Sequence, residues 1–244
     1  MCIRVLMAGT GSALNPARGQ VSVLIDAGGE ILVVDVGCAS PNVIARAGYS
    51  LDDISQFFIT HSHYDHVCGM PMVSFVRSFA SRRMMRVITV PSAAQELERI
   101  LSATAGAWRV DYVVRTVRAG EELRKGELKM RVLEALHTVE ASGLLVEYGG
   151  IRVLVSGDTR PTDSFRALAA GAQLAIHEAT VPSNMPAEAL RTGHSTVSEA
   201  LQQTLGASIR ALYHISPDSE EEAARVSGTG GVIVPKDGEI IKIC

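Results

Sequence analysis

Three of the chain's seven histidines fall within six residues, in the run His61-Ser62-His63-Tyr64-Asp65-His66. His61 and His63 are two apart, so in extended backbone their side chains leave the same face. If a helix starts after Tyr64, Asp65 and His66 point at a second position nearby. Neutral imidazole and carboxylate are ligands for zinc and other borderline divalent metals. Four such side chains from one segment exceed what a single tetrahedral ion takes from it. Two metals that draw further ligands from elsewhere in the chain are the natural solution. Residues 57–60 before the run are apolar and read as a buried strand ending in His61, and Gly69-Met70-Pro71-Met72 after it is not a solvated face.

Composition narrows the class. The 244 residues are 47% hydrophobic and 20% charged, which predicts a globular chain and excludes a disordered one. The length predicts one domain, residues 1–244. Twenty-three basic against 26 acidic residues give a net charge of −3, which excludes a strongly basic nucleic-acid footprint and leaves room only for a local patch. Cys2, Cys38, Cys68 and Cys244 form no CxxC pair; such scattered thiols predict a reduced, cytoplasmic protein without a disulfide framework. The apolar run at the start is too short for a signal peptide, and no stretch approaches the ~18–20 apolar residues of a membrane helix.

Short β-branched runs between Gly and Pro predict strands over 3–8, 21–26, 31–35, 57–60 and 85–90. After residue 110, strands are expected at 112–117, 129–136, 143–148, 152–156, 174–177 and 211–215. Helices are expected at 41–47, 70–82, 93–104, 162–170, 195–204 and 219–225, with Ser195 as an N-cap. Residues 232–235 and 240–243 read as a closing hairpin around Asp237-Gly238. The order suggests two β-rich halves with helices on their outer faces.

The run Thr60-His61-Ser62-His63-Tyr64-Asp65-His66 resembles the signature of the metallo-β-lactamase superfamily. The superfamily's later motifs follow in order: His137 in Leu136-His137-Thr138, Asp158 in Ser156-Gly157-Asp158-Thr159, and His214 in Leu212-Tyr213-His214-Ile215. The resemblance implies an α/β fold, the four-layer αβ/βα sandwich of two mixed sheets flanked by helices. It implies a dinuclear site at one edge of the sheets, with His61, His63 and His137 on one metal. Asp65, His66 and His214 would hold the other, and Asp158 would bridge both, with a hydroxide between them. Zinc is the default metal; manganese or iron would accept the same donors.

Further residues resemble the ribonuclease Z branch: Ile176-His177-Glu178-Ala179-Thr180, then Gly193-His194-Ser195-Thr196 with Glu199-Ala200. Gly9-Thr10-Gly11-Ser12, Pro16, Arg18, Ser22 and Asp237-Gly238 fit the same branch. The resemblance implies that Glu178 and His194 pair near the metals, and that His194 assists protonation of a leaving oxygen. His177 would stand behind the ligands or serve the fold. Two departures matter. In that family an arm that grips tRNA lies between the third ligand and the bridging Asp. Here 20 residues separate His137 from Asp158, and a hairpin uses most of them. Pro217-Asp218 also stands where a basic-aromatic pair is usual, and Arg18-Gly19 where Arg-Asn is.

The expected activity is a dinuclear metal-dependent hydrolase, a phosphodiesterase acting on a nucleotide or small phosphodiester rather than pre-tRNA. Asp65 would orient the nucleophile. An ester, lactone or thioester hydrolase would use the same metal pair, with Met70, Met72, Phe75, Phe79, Met84, Met85 and Trp108 as an apolar pocket; their alternative reading is core. A non-catalytic scaffold conflicts with the complete ligand set, and a diiron oxidoreductase with the lack of a flavodoxin-like segment. Arg82, Arg83 and Arg86 read as a solvated helix end rather than a phosphate site. A homodimer is implied by the resemblance alone.

Overall fold

The structure is a computed structural model that describes residues 1–80, 83–105 and 111–244, with 103–105 described by backbone alone. Strands β1 (Ile3–Gly9), β2 (Ser22–Ala27), β3 (Glu30–Val34), β4 (Gln56–Ile59), β5 (Met85–Thr89), β6 (Tyr112–Thr116) and β14 (Glu239–Ile243) form one seven-stranded sheet, in the order β14-β1-β2-β3-β4-β5-β6. Strands β7 (Glu122–Lys125), β8 (Leu128–Glu134), β9 (Ser142–Tyr148), β10 (Ile151–Val155), β11 (Leu174–Glu178), β12 (Ile209–Tyr213) and β13 (Val232–Ile233) form a second, in the order β13-β12-β11-β10-β9-β8-β7. Both sheets are mixed: β3 to β6 and β10 to β13 run parallel, and the remaining pairs antiparallel.

The central strands, such as β2, β10 and β11, are apolar on both faces because both faces are covered, whereas β6, β8 and β14 leave side chains exposed. On β1, Ile3, Val5 and Met7 face the core between the sheets, while Leu6 and Ala8 face outward. Helices α1 (Ser40–Arg46), α3 (Met70–Phe79) and α4 (Pro91–Ala105) cover the outward face through Val43, Ile44, Val73 and Leu97. On the second sheet Val153 and Tyr213 point inward. Leu154 meets Phe165 of α5 (Asp163–Ala169), and Leu212 meets Val197 of α7 (Val197–Gln203) and Ala223 of α8 (Glu220–Val226). The result is four layers, helix, sheet, sheet, helix. The short α2 (Tyr64–Val67) and α6 (Pro186–Thr192) complete the set described.

Several expectations are corrected. Residues 232–235 and 240–243 make no hairpin: β13 pairs with β12, and β14 pairs with β1 in the other sheet. Asp237 belongs to the crossing between them, and its carboxylate accepts from Thr10 Oγ1 and Gly19 N. The N-cap of α7 is Thr196, whose hydroxyl accepts from Glu199 N in a capping box, whereas Ser195 Oγ donates to Thr159 O. The cysteines are paired, Cys2 with Cys244 and Cys38 with Cys68. The antiparallel β1–β14 register carries the first pair together across 242 residues, which spacing alone cannot reveal. The inference from free thiols to a reducing compartment falls with it. Met70 and Met85 are core, but Met72, Phe75, Phe79 and Met84 are exposed, and Trp108 and Arg82 lie outside the described residues. No described helix is long and apolar enough to cross a membrane.

Candidate metal centre

Five strand ends converge at one edge of the sandwich. β4 runs into Thr60, His61 and His63, and α2 presents Asp65 and His66 from the next turn. His137 follows β8, Asp158 follows β10, Glu178 ends β11 and His214 follows β12. His194 enters from the αL cap of α6, where Gly193 has a φ of 74°. A Cβ on Gly193 would lie 2.9 Å from Thr138 N and 3.0 Å from His137 Nδ1, so only glycine lets this loop close on His137.

The structure brings all seven proposed ligands together. Asp158 Oδ2 is the centre: His66 Nε2 lies 3.3 Å away, His214 Nε2 3.4 Å, His61 Nε2 3.7 Å, and His137 Nε2 and His194 Nδ1 3.9 Å. His63 Nδ1 is 3.1 Å from His137 Nε2, and His214 Nε2 is 3.2 Å from Asp65 Oδ2. Donor atoms of His61, His63, His137 and Asp158 lie within 4.8 Å of one another, as do those of Asp65, His66 and His214. A third such group, Asp158, His194 and His214, brings His194 into the cluster.

Three residues that the sequence reading left without a role organise these imidazoles. Asp35 and Thr60 lie behind one pair. Asp35 Oδ2 accepts from His66 Nδ1 and from Thr60 Oγ1, both at 2.8 Å, and Thr60 Oγ1 in turn accepts from His61 Nδ1 at 3.0 Å. Glu178 and Thr180 repeat the device. Glu178 Oε1 accepts from His194 Nδ1 at 2.9 Å, Thr180 Oγ1 donates to Glu178 Oε2 at 2.7 Å, and the same oxygen accepts from His214 Nδ1 at 2.8 Å. Each buried carboxylate thus holds one imidazole directly and a second through a threonine hydroxyl. His137 Nδ1 donates to Gly193 O at 2.8 Å. With Nδ1–H committed, the Nε2 lone pairs of His61, His66, His137 and His214 are directed inward.

This donor set fits divalent cations. His61 Nε2, His66 Nε2 and Asp158 Oδ1 are buried and have no hydrogen-bond partner, a costly arrangement for protein alone and an ordinary one around a cation. Burial pushes the pKa of His61, His63 and His137 down, which favours the neutral imidazole that ligation requires. Burial opposes ionisation of Asp158, but the surrounding imidazoles, His214 foremost, outweigh it and hold the carboxyl well below the usual range. His66 is likewise buried, yet Asp158 and Asp35 push its pKa well up. His177, expected behind the ligands or in a structural role, takes the structural one: its Nδ1 donates to Glu178 O at 2.8 Å and its ring packs edge-on against Phe165.

A cavity of about 340 Å³ opens onto the cluster. His63, Asp65, Asp158, His194 and His214 floor it, and Ser12 with Ala13 wall one side. Val181, Pro182 and Met185 also line it, as do Glu188 and Asp218; among the described residues no lysine or arginine does. None of the methionines and phenylalanines expected as an apolar pocket lines it. The 143–156 segment is a tight β9–β10 hairpin, and no arm extends from it.

Two mixed sheets between helices, with histidines and aspartates gathered at the strand ends, define the metallo-β-lactamase superfamily of metal-dependent hydrolases, and this chain is one of them. It belongs to the family described as anti-Pycsar protein Apyc1, whose model matches residues 3–234. The ribonuclease Z of Natronomonas pharaonis is 31% identical, over 100% of this chain and 98% of its own length. That alignment runs over 304 positions against a chain of 244, so at least 60 of them face no residue here. Two solved structures share the fold: the metallo-β-lactamase fold protein YhfI of Bacillus subtilis, with a TM-score of 0.84 at 19% identity and coverage of 99% of this chain and 100% of that one, and the short form of human tRNase Z, with 0.83 at 22% and 99% of each chain.

Proposed function

We propose that the chain hydrolyses phosphodiesters, acting on a nucleotide or small phosphodiester with two divalent cations, zinc by default. His61, His63 and His137 would hold one, Asp65, His66 and His214 the other, and Asp158 both. The observation that carries the reading is the Glu178–His194 pair, set at 2.9 Å beside the cluster, with His194 on the cavity floor and Glu178 buried behind it. Glu178 is fully buried, and Thr159 N and Thr180 N donate to its two oxygens at 3.1 Å each. Burial opposes charge on His194, but Glu178 and then Asp158 push its pKa up to about 9, and the Glu178 carboxylate favours a protonated ring.

Bound cations supply an acidified water as nucleophile and positive charge against the phosphate oxygens. The chain's own groups do the rest. Asp65, on the cavity floor, orients the attacking water and accepts its proton. His194, oriented by Glu178, delivers a proton to the departing oxygen. Without an arm or a basic lining, the cavity has nothing to follow a polyanionic backbone, which favours a small substrate over pre-tRNA.

The test runs bis(p-nitrophenyl) phosphate, a lactone and a thioester in parallel on one purified sample, with and without chelator, beside metal analysis. Chelator-sensitive turnover of the phosphodiester supports the reading. Hydrolysis confined to the carbonyl substrates overturns it in favour of an ester, lactone or thioester hydrolase.

A further inference from the structure

Thr10, Arg18 and Asp237 lie outside the metal cluster, yet they belong to one network around the segment that carries His214. Among the described residues only two non-glycines occupy the left-handed region, Asp35 with a φ of 57° and His214 with a φ of 54°. A residue with a Cβ persists there only where its surroundings over-determine it. Around His214 they do. Ile215 N donates to Thr10 O at 3.0 Å, and Ser12 N donates to Ile215 O at 3.1 Å. Asn15 Nδ2 donates to the same Ile215 O at 2.9 Å and to Glu220 Oε2 at 3.2 Å.

Arg18 closes the network. Its Nε donates to Glu220 Oε2 at 2.7 Å and its Nη2 to Glu220 Oε1 at 2.7 Å, while Nη1 donates to Thr10 Oγ1 at 2.9 Å and Pro235 O at 2.8 Å. Asp237 Oδ1 accepts from Thr10 Oγ1 at 2.8 Å. The Arg18 side chain is only 8% exposed. Its rigid planar fork meets a carboxylate on one edge and two neutral oxygens on another, and an ammonium cannot span them all.

We propose that Arg18 is a positioning residue for His214. By bridging Glu220 to Thr10 and Pro235, it locks the 10–20 loop against the 215–220 segment. This holds His214 in its left-handed backbone with Nε2 aimed at Asp65 and Asp158, and keeps Ser12 and Ala13 on the cavity wall. The proposal rests on the assignment of His214 as a cation ligand.

The experiment loads the full chain with zinc and follows its loss to a chromogenic chelator, with far-UV circular dichroism as the check on folding. Arg18→Gln is expected to weaken retention of one zinc about 10–100-fold, the usual effect of removing a group that orients a ligand. Arg18→Lys, which keeps the charge and loses the fork, should fail in the same way. Glu220→Gln, a milder change at a side chain 36% exposed, should give a smaller loss of the same kind and serves if Arg18→Gln does not fold. Arg77→Gln is the control: it removes another buried guanidinium, one that bonds Ile54 O at 3.2 Å in the opposite helix layer, and should leave zinc retention unchanged. Wild-type retention in the Arg18 and Glu220 variants, or an equal loss in Arg77→Gln, overturns the proposal. Wild-type zinc content in His214→Ala would instead overturn the ligand assignment itself.

Discussion

Asp158 is the residue on which the site depends most. One buried carboxylate oxygen stands within 4 Å of five imidazoles, the shared negative charge at the centre of the cluster. Asp158→Ala and His63→Ala should both abolish metal content and turnover, as read by elemental analysis and phosphodiester assay. His194→Ala should behave differently. It keeps the cations but loses the proton donor, so substrates with poor leaving groups slow by about 10²–10⁴-fold while p-nitrophenolate release is spared. A uniform loss on every substrate would count against the assigned role. The run from His61 to His66 was legible from its spacing, whereas His137, Asp158 and His214 were picked out by the resemblance of their motifs to a known superfamily. Asp35, Thr60 and Thr180 were not, because a group that steadies the far nitrogen of an imidazole is identified only once the chain has folded. The signals were faint: an acid ending an apolar run, and threonines beside His61 and Glu178.

At the scale of elements, apolar runs with turn residues between them marked nearly every strand, most plainly the central ones that are buried on both faces. What escaped was what burial does not mark. β7, Glu-Leu-Arg-Lys at a sheet edge, has one inward residue, Leu123. The closing hairpin failed because Asp237-Gly238 looks like a turn between neighbours, whereas it links strands in different sheets. For α7, removing the cap by Thr196→Ala should cost about 1 kcal/mol, seen as a small fall in the unfolding midpoint with the cations still bound. A second expectation concerns pH. Arg18 holds the Glu220 carboxyl below its usual value, so the stability this pair contributes is present above the unfolded carboxyl's pKa. It is lost as pH falls through the lower folded value. Melting curves of Glu220→Gln should therefore converge with wild type in acid and fall below it at neutral pH.

Across the whole molecule, the helix–sheet–sheet–helix layering followed from two β-rich halves with helices on their outer faces. The disulfides did not, since the order of cysteines along a chain carries no information about which strands will lie side by side. The same two halves divide the donor atoms. His61, His63, Asp65 and His66 belong to the first sheet's strand ends, and His137, Asp158 and His214 to the second's. A cation seated among them would work as a rivet between two plates that also adhere through their oily inner surfaces and through hydrogen bonds such as Ile215 N to Thr10 O and Ser142 N to Thr60 O. Zinc should therefore raise the melting temperature of the entire body in proportion to the logarithm of its free concentration. Stripping it should let amide protons exchange sooner along the seam near β4 and β10 than at the opposite rim of the first sheet, where the Cys2–Cys244 disulfide ties β1 to β14.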